Sequence, residues 1–209
     1  MTGIKEGTSP PIEKAINFFD HLPFECTFDS KNKNLINDCE RLGLTFGEKT
    51  VGMHLNLNNF KNALRQNKSV SIQKVNNECH LRQWVNITSL GFKLSKNYIK
   101  AFIYPIFSSG NKKFHFSLGL VNDLPAAASL VFLDPPLASV FSLVTLPRYR
   151  EMGLVPYLLQ ESLSLAKTMN ITDCMAQDYI FTKKGYEKMG FQETQELSTY
   201  VYIPHKNDK

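Results

Sequence analysis

Leu143-Val-Thr-Leu-Pro-Arg-Tyr-Arg-Glu-Met-Gly-Leu-Val155 closes an apolar run, Ala138 to Thr145, and leads into an amphipathic one, Leu154 to Met169, whose apolar residues recur three and four apart. That pattern predicts a strand, a tight turn and a helix. A helix that starts straight after a strand aims its unbonded backbone N–H groups and positive dipole end beyond the strand tip, where a phosphate binds well. Gly153 lets backbone come close to a ligand, and Arg148 and Arg150 add positive charge. The residues therefore point to a pyrophosphate-bearing cofactor. An ordinary strand-to-helix connection in an α/β domain carries the same local signal.

Upstream of this stretch, Phe114 to Leu120 and Ala126 to Leu133 are apolar-rich strands joined by Val121 to Pro125, and Asp134-Pro-Pro136 turns the chain into the motif strand. Before them, Ser69 to Val75 alternates as a strand does. Leu81, Trp84, Val85 and Thr88 line one helix face, and Tyr98, Ile99, Phe102 and Ile103 line another, closed by Pro105. Downstream, Ile171 to Met175 predicts a short strand, Phe181 to Met189 a helix ended by Gly190, and Leu197 to Ile203 a last strand. The result is an α/β domain with a mixed sheet, antiparallel in the middle and alternating with helices later.

The first sixty residues echo this closing half. Ile12 to His21 reads as a helix, Phe24 to Phe28 as a strand, and Asp29-Ser30 as the cap of a helix that buries Leu35, Cys39 and Leu42 and stops at Gly43; Val51 to Leu57 is a further strand. Glu40-Arg-Leu-Gly-Leu44 superposes on Glu187-Lys-Met-Gly-Phe191 by a constant shift that also lays Met53 to Leu57 over Tyr200 to Pro204. Residues 1–66 are thus read as an N-terminal extension containing a degenerate half-repeat, and residues 67–209 as the main domain.

Composition narrows the function. A chain of 209 residues, 43% hydrophobic and 21% charged, can bury a core of one elaborated domain. No apolar run approaches the roughly 20 residues of a membrane span, and the polar start, Met1 to Lys14, lacks the apolar centre of a secretory signal, so a cytoplasmic protein is expected. The net charge of +5 is spread thinly, its densest clusters being Lys112-Lys113 and Lys183-Lys184, which argues against nucleic acid. Cys26, Cys39, Cys79 and Cys174 show no paired spacing and no histidine cluster, so reduced, mostly buried thiols and no metal are expected.

Val144-Thr-Leu-Pro-Arg-Tyr-Arg-Glu-Met-Gly-Leu-Val155 and Gly185-Tyr-Glu-Lys-Met-Gly-Phe191 together resemble the cofactor-binding and C-terminal motifs of the GNAT acyltransferase superfamily, over residues 69 to 204 or so. A branch with an N-terminal extension is similar in outline across Phe24 to Leu57. The resemblance implies a GNAT-like fold and transfer of an acetyl group from acetyl-CoA to a primary amine. It assigns Arg150, Glu151, Met152, Gly153, Leu154 and Val155 to the loop whose N–H groups hold the CoA pyrophosphate. Leu143, Val144 and Thr145 match the strand that pairs with the pantetheine arm, and Tyr186 matches the general acid. A tyrosine, with an ordinary pKa of about 10, keeps its proton at neutral pH and can give it to a thiolate whose conjugate acid lies near about 8.5.

Several positions depart from the pattern. Glu151 stands where the family has glycine and Val155 where it has Gly or Ala, while Tyr179 and Thr182 replace the usual Asn and Ala. No Glu, Asp or His lies in Ala138 to Thr145, so no general base is named; Asp173, Asp178 and His115 read as solvated, capping or structural. A non-catalytic acyl-CoA-binding or partner-binding module with the same fold is the alternative that these departures favour.

Overall fold

The computed structural model describes residues 11–19, 22–60, 67–179 and 183–204. Eight strands and six helices follow in the order α1 (Pro11–Phe19), β1 (Phe24–Asp29), α2 (Lys33–Arg41), β2 (Thr45–Asn56), β3 (Val70–Lys74), α3 (Glu78–Phe92), α4 (Lys96–Ser108), β4 (Phe114–Val121), β5 (Leu124–Asp134), β6 (Leu137–Thr145), α5 (Leu154–Thr168), β7 (Asp173–Tyr179), α6 (Lys184–Lys188) and β8 (Gln192–Tyr202). The strands form a mixed sheet ordered β1-β8-β2-β7-β6-β5-β4-β3. The chain divides into two compact units, one of Met1–Gly52, Asp178–Lys183 and Glu193–Lys209, the other of Met53–Gln177 and Lys184–Gln192.

In the first unit β1 pairs antiparallel with β8, from Phe24↔Tyr202 to Asp29↔Leu197. Ile12, Phe24, Cys39, Leu44 and Tyr200 make its core. The cap of α2 is Asn32, whose side chain accepts from Leu35 N at 3.1 Å, and not Asp29-Ser30. Asp29 ends β1, and its carboxylate takes Lys31 N at 2.8 Å instead.

The second unit carries the motif. Here β3, β4, β5 and β6 are antiparallel neighbours, and β6 pairs parallel with β7. One face of the sheet is covered by α3: Leu81, Trp84, Val85 and Thr88 are all buried, and Trp84 Nε1 donates to Ser129 O at 2.9 Å. The other face packs Leu154 and Leu158 of α5 on Ala126, Ala127 and Val121.

Four sequence expectations change here. The β4–β5 connection is a two-residue turn, Asn122-Asp123 with φ of 47° and 61°, rather than a five-residue loop, because Asn and Asp tolerate the left-handed backbone that such a turn needs. Pro125 then joins the ladder opposite Leu120, beside an irregularity at Gly119/Leu120. Helix α4 passes through Pro105 to Ser108: the bond lost at Pro105 is offset by Tyr104, Ile106 and Phe107 packing on the α3 core. Its face is narrower than the spacing implies, with Ile99 and Ile103 buried but Tyr98 51% and Phe102 57% exposed.

Strand bounds also differ from the alternation: β2 starts at Thr45, β7 runs Asp173–Tyr179 and β8 starts at Gln192. Thr182 and the first residues of the expected helix at Phe181 lie outside the described residues, as do His21 and part of the connector after Asn58. Of the four free thiols, burial pushes Cys39 and Cys174 up to about 12, Cys26 is half-buried, and Cys79 is exposed.

Candidate active site

Strand β6 begins paired on both edges. On the β7 side the ladder runs from Leu137↔Asp173 to Val140↔Ala176, and among the described residues it goes no further, although β6 continues to Thr145. On the β5 side Val131 pairs with Val140 and Leu130 with Ser142, so Phe141 is an extra residue, a β-bulge. The bulge turns the end of β6, and Ser142–Thr145 continue past the last β7 pair with their β5 ladder intact. Leu143, Val144 and Thr145 lie on this stretch.

Their side chains hold it in place from both faces. Leu143 packs toward α5 in the cluster that also holds Leu154 and Met152, so three of the expected site residues, from strand, loop and helix, meet there. Val144 lies on the opposite face among Trp84 and its neighbours. There Gly91 of α3 comes so close that a Cβ on it would stand 2.1 Å from Val144 Cγ2. Thr145 has a buried hydroxyl without a hydrogen-bond partner among the described residues.

The connection is a 3₁₀ turn, Pro147–Tyr149, tied by Tyr149 N to Leu146 O at 2.9 Å and Arg150 N to Pro147 O at 3.2 Å. Tyr149 packs on the cores of both faces, and the Arg148 guanidinium lies 4.7 Å over its ring, which leaves Arg150 as the exposed arginine nearest the helix. Two left-handed residues follow, Glu151 at φ 68° and Gly153 at φ 80°. The second is glycine; the first is not, and an L-residue held there costs roughly 1–2 kcal/mol.

Helix α5 starts at Leu154 with Gly153 as N-cap and no side-chain cap hydrogen bond. Gly153 offers the helix's first N–H groups no side-chain acceptor, and open space surrounds its Cβ position. Val155 is half-buried in the first turn. The residue after it, Pro156, brings no N–H, so the third position of the helix adds no donor to those of Leu154 and Val155. Two residues past a helix start, a proline is a legible sign of that loss.

Tyr186 lies on α6, 7% exposed, with its ring edge-on to Phe191 at 5.0 Å. Met189 N and Phe191 N both donate to its carbonyl, at 2.9 and 3.1 Å. Gly190 ends the helix at φ 100°, and a Cβ there would meet Asn59 O at 2.8 Å. Leu143, Met152 and Leu154 are therefore tied together by packing and Val144 packs on the α3 face, whereas the ring contact of Tyr186 is to Phe191.

Of the two carboxylates at the next strand, Asp173 is engaged. Asp173 accepts from Thr172 Oγ1 at 2.6 Å and meets His54 Nε2 at 2.7 Å, and these bonds hold its carboxyl below the usual range. Asp178 belongs to the other compact unit. His115 sits on β4; burial, then Lys74, lowers its pKa. Among the described residues no cluster of His, Cys, Asp and Glu could hold a metal ion, and no helix is long and apolar enough to cross a membrane.

No family model matches the chain, and no curated protein matches it in sequence. Solved structures do. A functionally unknown conserved protein from Staphylococcus epidermidis is similar at 12% identity and a TM-score of 0.69, over 92% of this chain and 77% of that one. A GCN5-related N-acetyltransferase from Sphaerobacter thermophilus is similar at 10% identity and a TM-score of 0.67, over 91% of this chain and 64% of that one. A GCN5-related N-acetyltransferase from Kribbella flavida is similar at 14% identity and a TM-score of 0.65, over 94% and 74%. With identities this low the likeness is one of architecture, and the chain has the fold of the GCN5-related N-acetyltransferases.

Proposed function

We propose that the chain is an acetyl-CoA-dependent N-acetyltransferase acting on a primary amine. The observation that carries this reading is the uncapped start of α5, reached through left-handed Glu151 and Gly153 from a strand whose outer edge parts from β7 after Val140. A diphosphate fits such a terminus: the N–H groups of Met152, Gly153, Leu154 and Val155 and the Arg150 guanidinium would hold it, against the unfavourable charge of exposed Glu151. The backbone of Leu143, Val144 and Thr145 would hold the pantetheine amides as a further strand would, and the unpartnered Thr145 hydroxyl adds an idle polar group to the same segment.

Bound acetyl-CoA supplies an acyl carbon activated as a thioester, which passes to the amine nitrogen as the C–S bond breaks, the sulfur leaves as thiolate and the nitrogen gives up a proton to solvent. The chain's own part is to orient and to move protons. A backbone N–H of the motif strand would stabilise charge developing on the carbonyl oxygen. Tyr186 would hold the proton that the sulfur takes up, and burial against Phe191 fixes the ring that carries it.

Residues 11 to about 58 are read, on the same proposal, as a degenerate copy of the closing half. In support, α2 and α6 each end at a left-handed glycine, Gly43 and Gly190, with β2 and β8 starting at Thr45 and Gln192; both pairs are 147 apart (190 − 43 and 192 − 45).

The test is thermal and chemical. Millimolar acetyl-CoA is expected to raise the melting temperature, with release of free CoA in the presence of an amine panel. Tyr186→Phe is expected to slow release about 10²-fold or more while leaving the acetyl-CoA thermal shift in place. A second reading, an acyl-CoA-binding module without turnover, is favoured by Glu151 and Pro156; it gives the thermal shift and no release. An unchanged melting temperature would rule out both.

A further inference from the structure

Across β4, β5 and the first half of β6 the sheet carries an aromatic stripe that is half-buried at Phe114 and Phe132 and exposed at Phe141. Phe114 and Phe132 face each other across β4 and β5 with ring centroids 4.8 Å apart, and Phe141 continues the row at 6.4 Å on β6. Phe114 packs against the α3 core, so the row lies on the α3 face. Phe141 is 64% exposed although it belongs to a strand. Burying a side chain of this size is worth about 1.5–3 kcal/mol, so its exposure on a bulge beside the motif strand needs an explanation that packing does not give.

On the β6 side of the stripe the polar groups are hydroxyls. Ser139 is opposite Phe132, and Ser142, opposite Leu130, follows the bulge on the same face. The carboxylates at the far rim are already engaged: Asp134 pairs with Lys113 at 2.7 Å, and Asp173, level with Leu137, is bonded to His54 and Thr172. A polycationic acceptor would find neither of these two carboxylates uncommitted. An aromatic body finds three rings, in the edge-to-face and tilted arrangements that aromatic pairs prefer.

Resting on the acetyl-transfer reading, we propose that the acceptor is an arylalkylamine whose ring lies on Phe141 and Phe132, with its amine carried toward Ser142 at the bulge. This also accounts for the lack of a carboxylate base in β6. Taking an ammonium onto an apolar, uncharged surface disfavours its charged form, so the amine loses its proton to solvent more readily and arrives as the neutral nucleophile.

Calorimetric titration with 2-phenylethylamine, with spermidine as the polycationic comparison, tests the proposal, each run with and without CoA. Expected are saturable binding of 2-phenylethylamine in preference to spermidine and about tenfold weaker binding by Phe141→Ser, whose exposed site leaves folding intact. Phe132→Leu, with an unchanged melting temperature as the check on folding, should weaken binding in the same direction. Preference for spermidine, no 2-phenylethylamine binding in either condition, or equal affinity in Phe141→Ser would overturn the assignment. CoA release is read separately, so amine binding that depends on Phe141 without release would overturn acetyl transfer and leave the aromatic site standing.

Discussion

Glu151 is the residue at which the loop's geometry and its chemistry conflict. A position at φ 68° suits glycine, and a carboxylate is the least suitable side chain to set beside the N–H groups and arginine that would receive a diphosphate. Glu151→Gly removes a left-handed penalty of roughly 1–2 kcal/mol and gives back roughly 0.5–1 kcal/mol in unfolded-chain entropy. The variant is expected to be more stable by about 0.5–1 kcal/mol, a rise of about 1–4 °C in melting temperature. It should also show a larger acetyl-CoA thermal shift than the parent. Chemical denaturation with and without acetyl-CoA reads both, and a less stable variant would mean that Glu151 makes a contact worth more than the strain.

At the scale of elements, the contact between α3 and β6 fixes where the motif strand lies. Gly91 is in the last turn of α3, where alanine ordinarily gains about 1 kcal/mol over glycine. Here a Cβ would stand 2.1 Å from Val144 Cγ2, and Val144 is a branched core side chain with no flexible end to swing away. Overpacking wins: Gly91→Ala is expected to destabilise by about 1–3 kcal/mol, and Val144→Ala in the same chain to recover part of that loss. Urea denaturation of the two single variants and the double variant checks the coupling. This contact also marks the limit of sequence reading. The buried face of α3 and the strand-turn-helix around Gly153 were legible because each repeats a local period or carries turn chemistry. The passage of α4 through Pro105, the bulge at Phe141 and the closeness of Gly91 were not, since distant segments decide them: Phe107 on Phe116, Leu130 against Ser142, Val144 beneath α3. Pro156 was present to be read, and only its consequence for the helix terminus needed the exact start of α5.

At the scale of the whole molecule, stability with pH depends on which groups the fold holds uncharged. His115 is such a group. Its Nε2 is buried without a hydrogen-bond partner among the described residues, beside a cavity of about 170 Å³ also lined by Lys74, Ser117, Glu161 and Ser162. Burial lowers its pKa most and Lys74 adds to that, while Glu161 and the Lys112 backbone act the other way. The folded pKa therefore lies below the ordinary 6.5, and between the two values the unfolded chain binds more protons than the native one. The stability this provides is complete above pH 6.5 and is lost as pH falls through 6.5 toward the folded value. The depressed carboxyl of Asp173 acts in the same direction but only below its ordinary 3.8, so the two windows separate. Wild-type chain is expected to lose stability between pH 7.5 and 5.5 in urea denaturation, and His115→Gln to lose measurably less over the same interval, even if its stability at pH 7.5 is lower. Equal losses in the two proteins would show that protonating His115 costs the fold nothing, because Glu161 or water entering the cavity takes up its charge.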